Sequence, residues 1–321
     1  MPFRRAALWL VPVLTILAVG GAAFVAEPKA RDPQPDARWL ELNRKVREQS
    51  ERFPGVSGIV IKDLRRGWTI EHNPSRLFPS ASLVKLPLMV ALYEADLRGE
   101  ISLDQSFPIL RHLRARGSGT LKFQRPGTRL TIHEFISRMI TESDNTATNV
   151  LTNLFGLDYY NSQFLSMGLS RTNFSRTIMD LRQRDRGIEN YTTPRDMARL
   201  LEWIYRGRFS GSREMMDILK AQKINDRLAR GIPGDWTIGH KTGLMRDSCH
   251  DVGIVFAPGS DYVICALTTD ARSSRRAKKF ITSLSKLTAE YYLSGPAREA
   301  AALPRRAFWP RLFHRDATGQ G

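Results

Sequence analysis

The chain has 321 residues, of which 42% are hydrophobic, and a formal charge of +17. That length suits one large or two small domains, and the apolar content is enough for a packed core. The charge points to an anionic neighbour such as a membrane surface, a cell-wall polymer or nucleic acid. Nucleic acid is set aside, because there is no zinc-finger spacing, RNP-like aromatic strand or P-loop; the arginines, scattered along the whole chain, read as a solvated basic surface.

Arg4-Arg5 precede an apolar run from Ala6 to Val25. At about 20 residues the run is long for a signal h-region and near the length of a membrane span. Gly21-Ala22-Ala23 offers a cleavage site, so residues 1–26 are expected to be a signal peptide or an N-terminal membrane anchor. Either keeps the arginines cytoplasmic and exports the rest of the chain, to the periplasm or another extracytoplasmic space. Residues 27–38 are Pro-rich and polar and read as a linker. Residues 39–294 are expected to form the folded domain, and 295–321 a basic tail without fixed structure. The tail carries Phe308, Trp309, Leu312 and Phe313 among arginines, and with the N-terminal segment could touch an anionic membrane.

Trp39 to Phe53 has a helical pattern. Gly58–Ile61 and Trp68–Ile70 read as strands around an Arg65-Arg66-Gly67 turn. A helix then runs from Ser82 to about Gly99, with a slight kink expected at Pro87. Residues 108–129 are irregular, with turn signals at Gly117-Ser118-Gly119 and Pro126-Gly127. Thr131 and Glu134 form a capping box for a helix with Ile132, Phe135, Ile136, Met139 and Ile140 on one face. A second helix buries Ala147, Val150, Leu151, Leu154 and Phe155 and stops at Gly156. Thr193-Pro194 opens another, with Met197, Leu200, Leu201 and Ile204 inward. Trp236–Ile238, Val252–Phe256 and Tyr262–Leu267 read as strands, and Arg275–Leu293 as a closing helix. Strands from both ends of the chain and helices in the middle predict an α+β fold, with one antiparallel five-stranded sheet flanked by helices and a mostly helical subdomain. Cys249 and Cys265 are expected to stay unpaired. A turn at Pro258-Gly259-Ser260 sets Cys265 opposite about Gly253, with Cys249 too far along the strand to bridge.

Chemistry first suggests itself at Ser82-Leu83-Val84-Lys85. Residues three apart on a helix share a face, with Cβ atoms about 5–6 Å apart. Serine needs a base to take its proton, and a desolvated lysine can serve. The spacing alone is weak: Ser283-Leu284-Ser285-Lys286 repeats it, and about one chance match is expected in a chain of this length. On their own, such motifs mark polar helix faces. Two further clusters come after the first, Ser143-Asp144-Asn145 at a helix junction and Lys241-Thr242-Gly243 on a strand. The copy at Ser283 has no such partners downstream.

The ordered trio resembles the class A β-lactamase-like serine hydrolases, from about Trp39 to Leu293. The resemblance implies the β-lactamase/transpeptidase-like fold and a role for each residue. Ser82 would attack the carbonyl of a lactam or peptide and Lys85 would deprotonate it, its pKa lowered by burial and by Lys241. Ser143 would relay a proton to the departing nitrogen. Asn145 would hold the substrate's side-chain amide. Lys241, Thr242 and Gly243 would line the substrate site, the first two holding a carboxylate. The backbone N–H groups of Ser82 and Leu244 would form the oxyanion hole. Asp144 would be structural. His240 and His250 flank the third motif without metal-ligand spacing and read as core or rim histidines. No cofactor and no metal is called for, and the chain is expected to act as a monomer. A Ser-His-Asp hydrolase is disfavoured, since no Gly-x-Ser-x-Gly elbow exists.

One departure stands out. The family's Glu-x-x-Leu-Asn, whose glutamate activates the deacylating water, is missing from the loop Thr177–Tyr191. Asp180 and Glu189 are the candidate replacements there. Acylation is better supported than turnover. Three readings therefore remain open: a β-lactamase-type hydrolase, a cell-wall D-alanyl-D-alanine peptidase acting on a peptidoglycan stem peptide, and a penicillin-recognising sensor that is acylated and stays so.

Overall fold

The computed structural model describes residues 34–294. The expected leader or anchor, the tail and the linker as far as residue 33 lie outside the described residues. Helix α1 (Ala37–Glu51) opens on Asp36, whose carboxylate accepts from the Trp39 N–H at 2.7 Å. A capping aspartate satisfies a donor that the first turn cannot. Ala37 and Arg38, read as linker, therefore form that turn.

Strands β1 (Val56–Asp63) and β2 (Thr69–His72) make the first hairpin, with Ile61 opposite Ile70. After β3 (Phe78–Pro79) the chain winds as a 3₁₀ turn over Ala81–Val84 and continues as α2 (Lys85–Leu97). The winding changes just before Lys85, ahead of Pro87, where the kink is expected. Pro87 lies in the first turn of α2, where its missing N–H would have no intrahelical partner anyway. Short strands β4 (Ser106–Pro108) and β5 (Arg129–Thr131) pair at the base of the irregular segment. Helix α3 (Ile132–Thr141) starts on the expected capping box, with both reciprocal bonds formed.

Helix α4 (Asn145–Ser166) is broken at Gly156, where φ is +81° and ψ 172°. The predicted stop is there, but winding resumes and buries Tyr160 and Phe164. A short α5 (Leu181–Asp185) and β6 (Tyr191–Thr192) lead to α6 (Pro194–Tyr205), whose Thr193 cap accepts from Asp196 N–H at 3.1 Å. Helix α7 (Ser212–Lys220), missing from the predicted elements, buries Met215, Met216, Ile218 and Leu219. Strands β7 (Thr237–Leu244), β8 (Ser248–Phe256) and β9 (Tyr262–Thr269) and helix α8 (Ser274–Leu293) complete the fold.

The sheet is five-stranded and antiparallel in the order β2-β1-β9-β8-β7, so both ends of the chain meet at β1 and β9. It is covered on both faces. Val60, Val252, Ile254, Val263, Cys265 and Leu267 pack with the helical subdomain, while Ile59, Ile61, Val255, Ile264 and Ala266 pack with α1 and α8. Period-two alternation explains the split, and burial on both faces explains why the strands read as nearly continuous apolar runs. Both cysteines are free and buried. Cys265 pairs with Val252, one residue from the expected Gly253, and Cys249 pairs with Thr268. The two sulfurs also belong to cores on opposite faces of the sheet.

Candidate active site

The first two sequence clusters sit where an element changes character, and the third lies near the end of β7. Ser82 is in the 3₁₀ turn that feeds α2, and the preceding Ala81 has φ +47°. A left-handed residue other than glycine costs about 1–3 kcal/mol and persists only where its surroundings fix it. Those surroundings are visible. Ser80 N–H donates to Asn190 O at 2.6 Å, and His250 Nε2 lies 2.8 Å from Pro79 O. Thr268 N–H donates to His250 Nδ1 at 3.1 Å, so the ring proton is on Nε2 and His250 donates to Pro79. Burial pushes the His250 pKa down to about 4, keeping it neutral. It is a core histidine that braces the turn. From the other side, β7 packs on the same turn through Gly243. A Cβ there would lie 3.3 Å from both Ala81 Cβ and Ser80 O, and 3.0 Å from His250 Cδ2. Glycine lets β7 pack here without pressing on the turn.

The second cluster is the junction of α3 and α4. Ser143 is again left-handed, with φ +55°, and is buried. Asp144 caps α4, accepting from Ala147 N–H and Leu121 N–H, each at 2.8 Å. This is the structural part expected of it. Asn145 Nδ2 donates to Arg116 O at 2.8 Å, which ties the irregular 110–129 segment to the junction.

Lys85 joins the first cluster to the second. Its fully buried Nζ donates to Ser143 O at 2.7 Å, Ser143 Oγ at 3.2 Å and Asn145 Oδ1 at 2.8 Å. Burial lowers its pKa well below the lysine range; the Lys241 charge acts the same way, and Asp144 opposes them. Lys241 is also fully buried, and its Nζ donates to Thr242 O at 3.0 Å. Burial brings its pKa down to about 7, against the pull of Asp251 and with help from Arg227. Thr242 is buried beside it, and Leu244 ends the strand, exposed. His240, on the far side of Lys241, is held between Asp251 Oδ1 and Asn225 Oδ1, each at 2.8 Å, as part of the core.

Arg227 was not among the residues the sequence singled out. It is buried, with Nε 3.2 Å from Cys249 Sγ, and its Nη1 has no hydrogen-bond partner among the described residues. Its charge lowers the pKa of both Lys241 and His250, which places it behind the third motif. No motif surrounds it. The only signal is a lone Asp-Arg pair before an apolar turn.

The loop before α6 is built differently. Glu189 accepts from Arg176 Nη2 at 2.6 Å and Asn190 N–H at 2.7 Å, and Arg184 Nε is 3.2 Å away. Asp180 caps α5 through Gln183 N–H at 3.1 Å. Neither carboxylate is bonded to Lys85, Ser143 or Asn145. Met179, with φ +67°, is the loop residue that reaches the junction: its Sδ would lie 3.5 Å from a Cβ on Gly117, where Asn145 Nδ2 also crowds. The structure thus bonds Lys85, Ser143 and Asn145 into one group, packs Lys241, Thr242 and Gly243 of β7 on the turn that carries Ser82, and leaves Asp180 and Glu189 in the framework of their loop.

The profile of the Beta-lactamase enzyme family matches residues 41–292. A beta-lactamase from Nocardia asteroides, AST-1, is 30% identical over 292 residues, covering 84% of this chain and 90% of its own. Among solved structures, a single-residue mutant of PBP-A in an acyl-enzyme complex with penicillin-G superposes with a TM-score of 0.74 at 29% identity, covering 80% of this chain and 97% of its own. A beta-lactamase from Sphaerobacter thermophilus gives 0.71 at 29% identity, with 78% and 96% covered.

Proposed function

This chain belongs to the beta-lactamase enzyme family, and from that premise we propose that it is an exported serine hydrolase that opens β-lactams through an acyl-enzyme and releases the product slowly. The observation that carries the reading is Lys85. It is buried, depressed in pKa, one turn from Ser82 and bonded to both Ser143 and Asn145.

Neutral Lys85 takes the Ser82 hydroxyl proton as Oγ attacks the lactam carbonyl. The carbonyl electron pair moves to oxygen, held by the Ser82 and Leu244 N–H groups; one such donor is worth about 10²–10³ in rate. On collapse the C–N bond breaks. Ser143 gives its proton to the departing nitrogen and regains one from the Lys85 ammonium, 3.2 Å away. An ester on Ser82 remains. Asn145 orients the substrate's acyl amide. Lys241 and Thr242 hold its carboxylate, with the unpartnered Nη1 of Arg227 as a second cation behind them.

Release is slow because the loop offers no free base. Glu189 is spent on two arginines and a backbone N–H, and Asp180 on a helix cap. General-base help is worth about 10²–10⁴-fold, and its loss lengthens the ester's life by that order. The same observation favours a second reading, a penicillin-binding sensor or D-alanyl-D-alanine peptidase acting on stem peptides. The PBP-A mutant, solved as an acyl-enzyme complex with penicillin-G, supports the acylation step that both readings share. Export rests on Arg4-Arg5 and the apolar run after them. The test is intact-protein mass after mixing with benzylpenicillin. One adduct per chain is expected, absent in Ser82→Ala; hydrolysis without any adduct contradicts slow release.

A further inference from the structure

The arginines are scattered in sequence but not at the cleft. The segment from Leu110 to Arg129 contains Arg111, Arg114, Arg116, Lys122, Arg125 and Arg129 and no Asp or Glu. The five arginines are exposed. Where these side chains bond, they bond backbone carbonyls: Arg114 to Lys122 O, Lys122 to Gly117 O, and Arg129 to Ser106 O at 2.6 Å. Elsewhere on the surface arginines face carboxylates, as Arg44 faces Glu41 and Glu48, Arg195 faces Glu71 and Arg206 faces Glu202. A second acid-free run, Arg272 to Lys286, lies on and just before α8, but only the 110–129 run is bonded to Asn145.

The 110–129 segment lies beside Asn145. Arg116 O accepts from Asn145 Nδ2 at 2.8 Å, so the Arg116 side chain is carried by the backbone next to the amide assigned to the substrate's acyl group. The opposite loop, which meets Gly117 through Met179, adds exposed Arg182 and Arg186. Arg184 bonds Asp247 at 2.8 Å and ties that loop to the β7–β8 turn, where Arg246 is exposed. The acids on this side are Asp180, spent on its cap, Glu189, spent on Arg176 and Arg184, Asp247, spent on Arg184, and exposed Asp185. Glu142, which accepts from Thr120, is matched by Arg138 and Lys223. Cations exceed acids around the opening.

We propose that this rim selects substrates whose acyl side chain carries a second anionic group, an α-carboxyl penicillin being the simplest. The proposal rests on the acyl-enzyme reading and adds to it the substrate class. A carboxylate about 7 Å from one exposed guanidinium in water gains about threefold in affinity, and from two nearly tenfold. Salt screens such a gain over about 8 Å at physiological ionic strength.

Benzylpenicillin and carbenicillin differ by one carboxylate on the acyl side chain and form a matched pair. The test is the ratio of their second-order acylation rate constants, carbenicillin over benzylpenicillin, on the full-length protein by quenched-flow mass spectrometry. Taking the ratio relative to wild type cancels the drugs' intrinsic reactivities. Arg116→Glu is expected to lower the ratio about three- to tenfold, and Arg114→Glu with Arg116→Glu further. Raising the salt should bring wild type towards the variants. Arg47→Glu, on α1 beside β2 at the sheet edge opposite β7, makes the same change in net charge and should leave the ratio alone. Should the double variant fold poorly, Arg116→Gln gives a smaller drop in the same direction. A ratio indifferent to Arg116 and to salt, with both drugs still forming adducts, overturns the proposal alone. No adduct from either drug overturns the acyl-enzyme reading beneath it.

Discussion

The wall of the cleft made by the 3₁₀ turn, α2, the Ser143–Asn145 junction and β7 differs sharply from the loop of residues 176–190. In the first, titratable groups are buried and depressed in pKa: Lys85 donates to three acceptors and Lys241 is brought down to about 7. Burying a charge that is not fully compensated is costly, so that wall sacrifices stability to keep two lysines near their working range. In the loop, the buried charges are matched. Arg176 and Arg184 close on Glu189, and Asp180 caps a turn. The loop is stable as a framework and poor in reactive groups. On the proposed reading, one half of the site forms the ester and the other lacks a free base to remove it.

The largest expected effect is at Ser82. Ser82→Ala should abolish labelling by a fluorescent penicillin, while Ser283→Ala keeps it, because Ser283 Oγ is bonded to Phe280 O and Gln49 Oε1 on the far side of the sheet. Lys85→Met comes next: acylation should slow by about 10²–10⁴, with the protein still folded by circular dichroism.

The pH profile sharpens the comparison from within the first wall. Lys85 must be neutral to act as base, so acylation rises as pH climbs through its lowered pKa. Lys241 must be charged to hold a carboxylate, so kcat/KM falls as pH rises through about 7. Lys241→Arg should remove that falling limb, and a limb that survives would detach it from Lys241. Stability runs in the opposite sense. Below pH 7 the folded protein carries the buried charge at a cost; between about 7 and 10.5 the unfolded chain binds the extra proton and wild type gains stability with pH. Lys241→Met should therefore match or exceed the wild-type Tm at pH 6, with its advantage shrinking towards pH 10.

The loop should respond in stability and hardly in chemistry. Glu189→Gln strands buried Arg176, and breaking a buried pair costs about 3–5 kcal/mol; Tm should fall while the acyl-enzyme lifetime changes little. Asp180→Asn, which keeps a capping side chain, should be the smallest effect of all, within about twofold for burst and turnover. A markedly longer acyl-enzyme in either variant would identify it as the deacylating base.

Local rules account for what the sequence made legible. The Thr131–Glu134 box, the Thr193-Pro194 start and the alternating strands obey short-range chemistry, and the three motifs have the expected order. Other features depend on contacts between distant residues. Nothing near Ala81 or Ser143 announces a positive φ, since neither is a glycine; His250, Asn190 and Lys85 impose it from elsewhere. Helix α7 did carry a legible pattern in Met215, Met216, Ile218 and Leu219. Winding past Gly156 did not, because a glycine at φ +81° looks like an end whether or not a helix resumes after it. Arg227 is meaningful only once β7 and β8 are assembled in front of it.

The central claim is that the site makes an ester readily and breaks it slowly. Intact-protein mass spectrometry of the full-length chain, sampled from milliseconds to hours after mixing with benzylpenicillin, reads both steps at once. The prediction is a rapid rise to one penicilloyl adduct per chain, mapped by peptide digestion to Ser82, and then a plateau that decays far more slowly than it formed. Antibiotic consumed with no adduct at any time, or an adduct mapped away from Ser82, would contradict it.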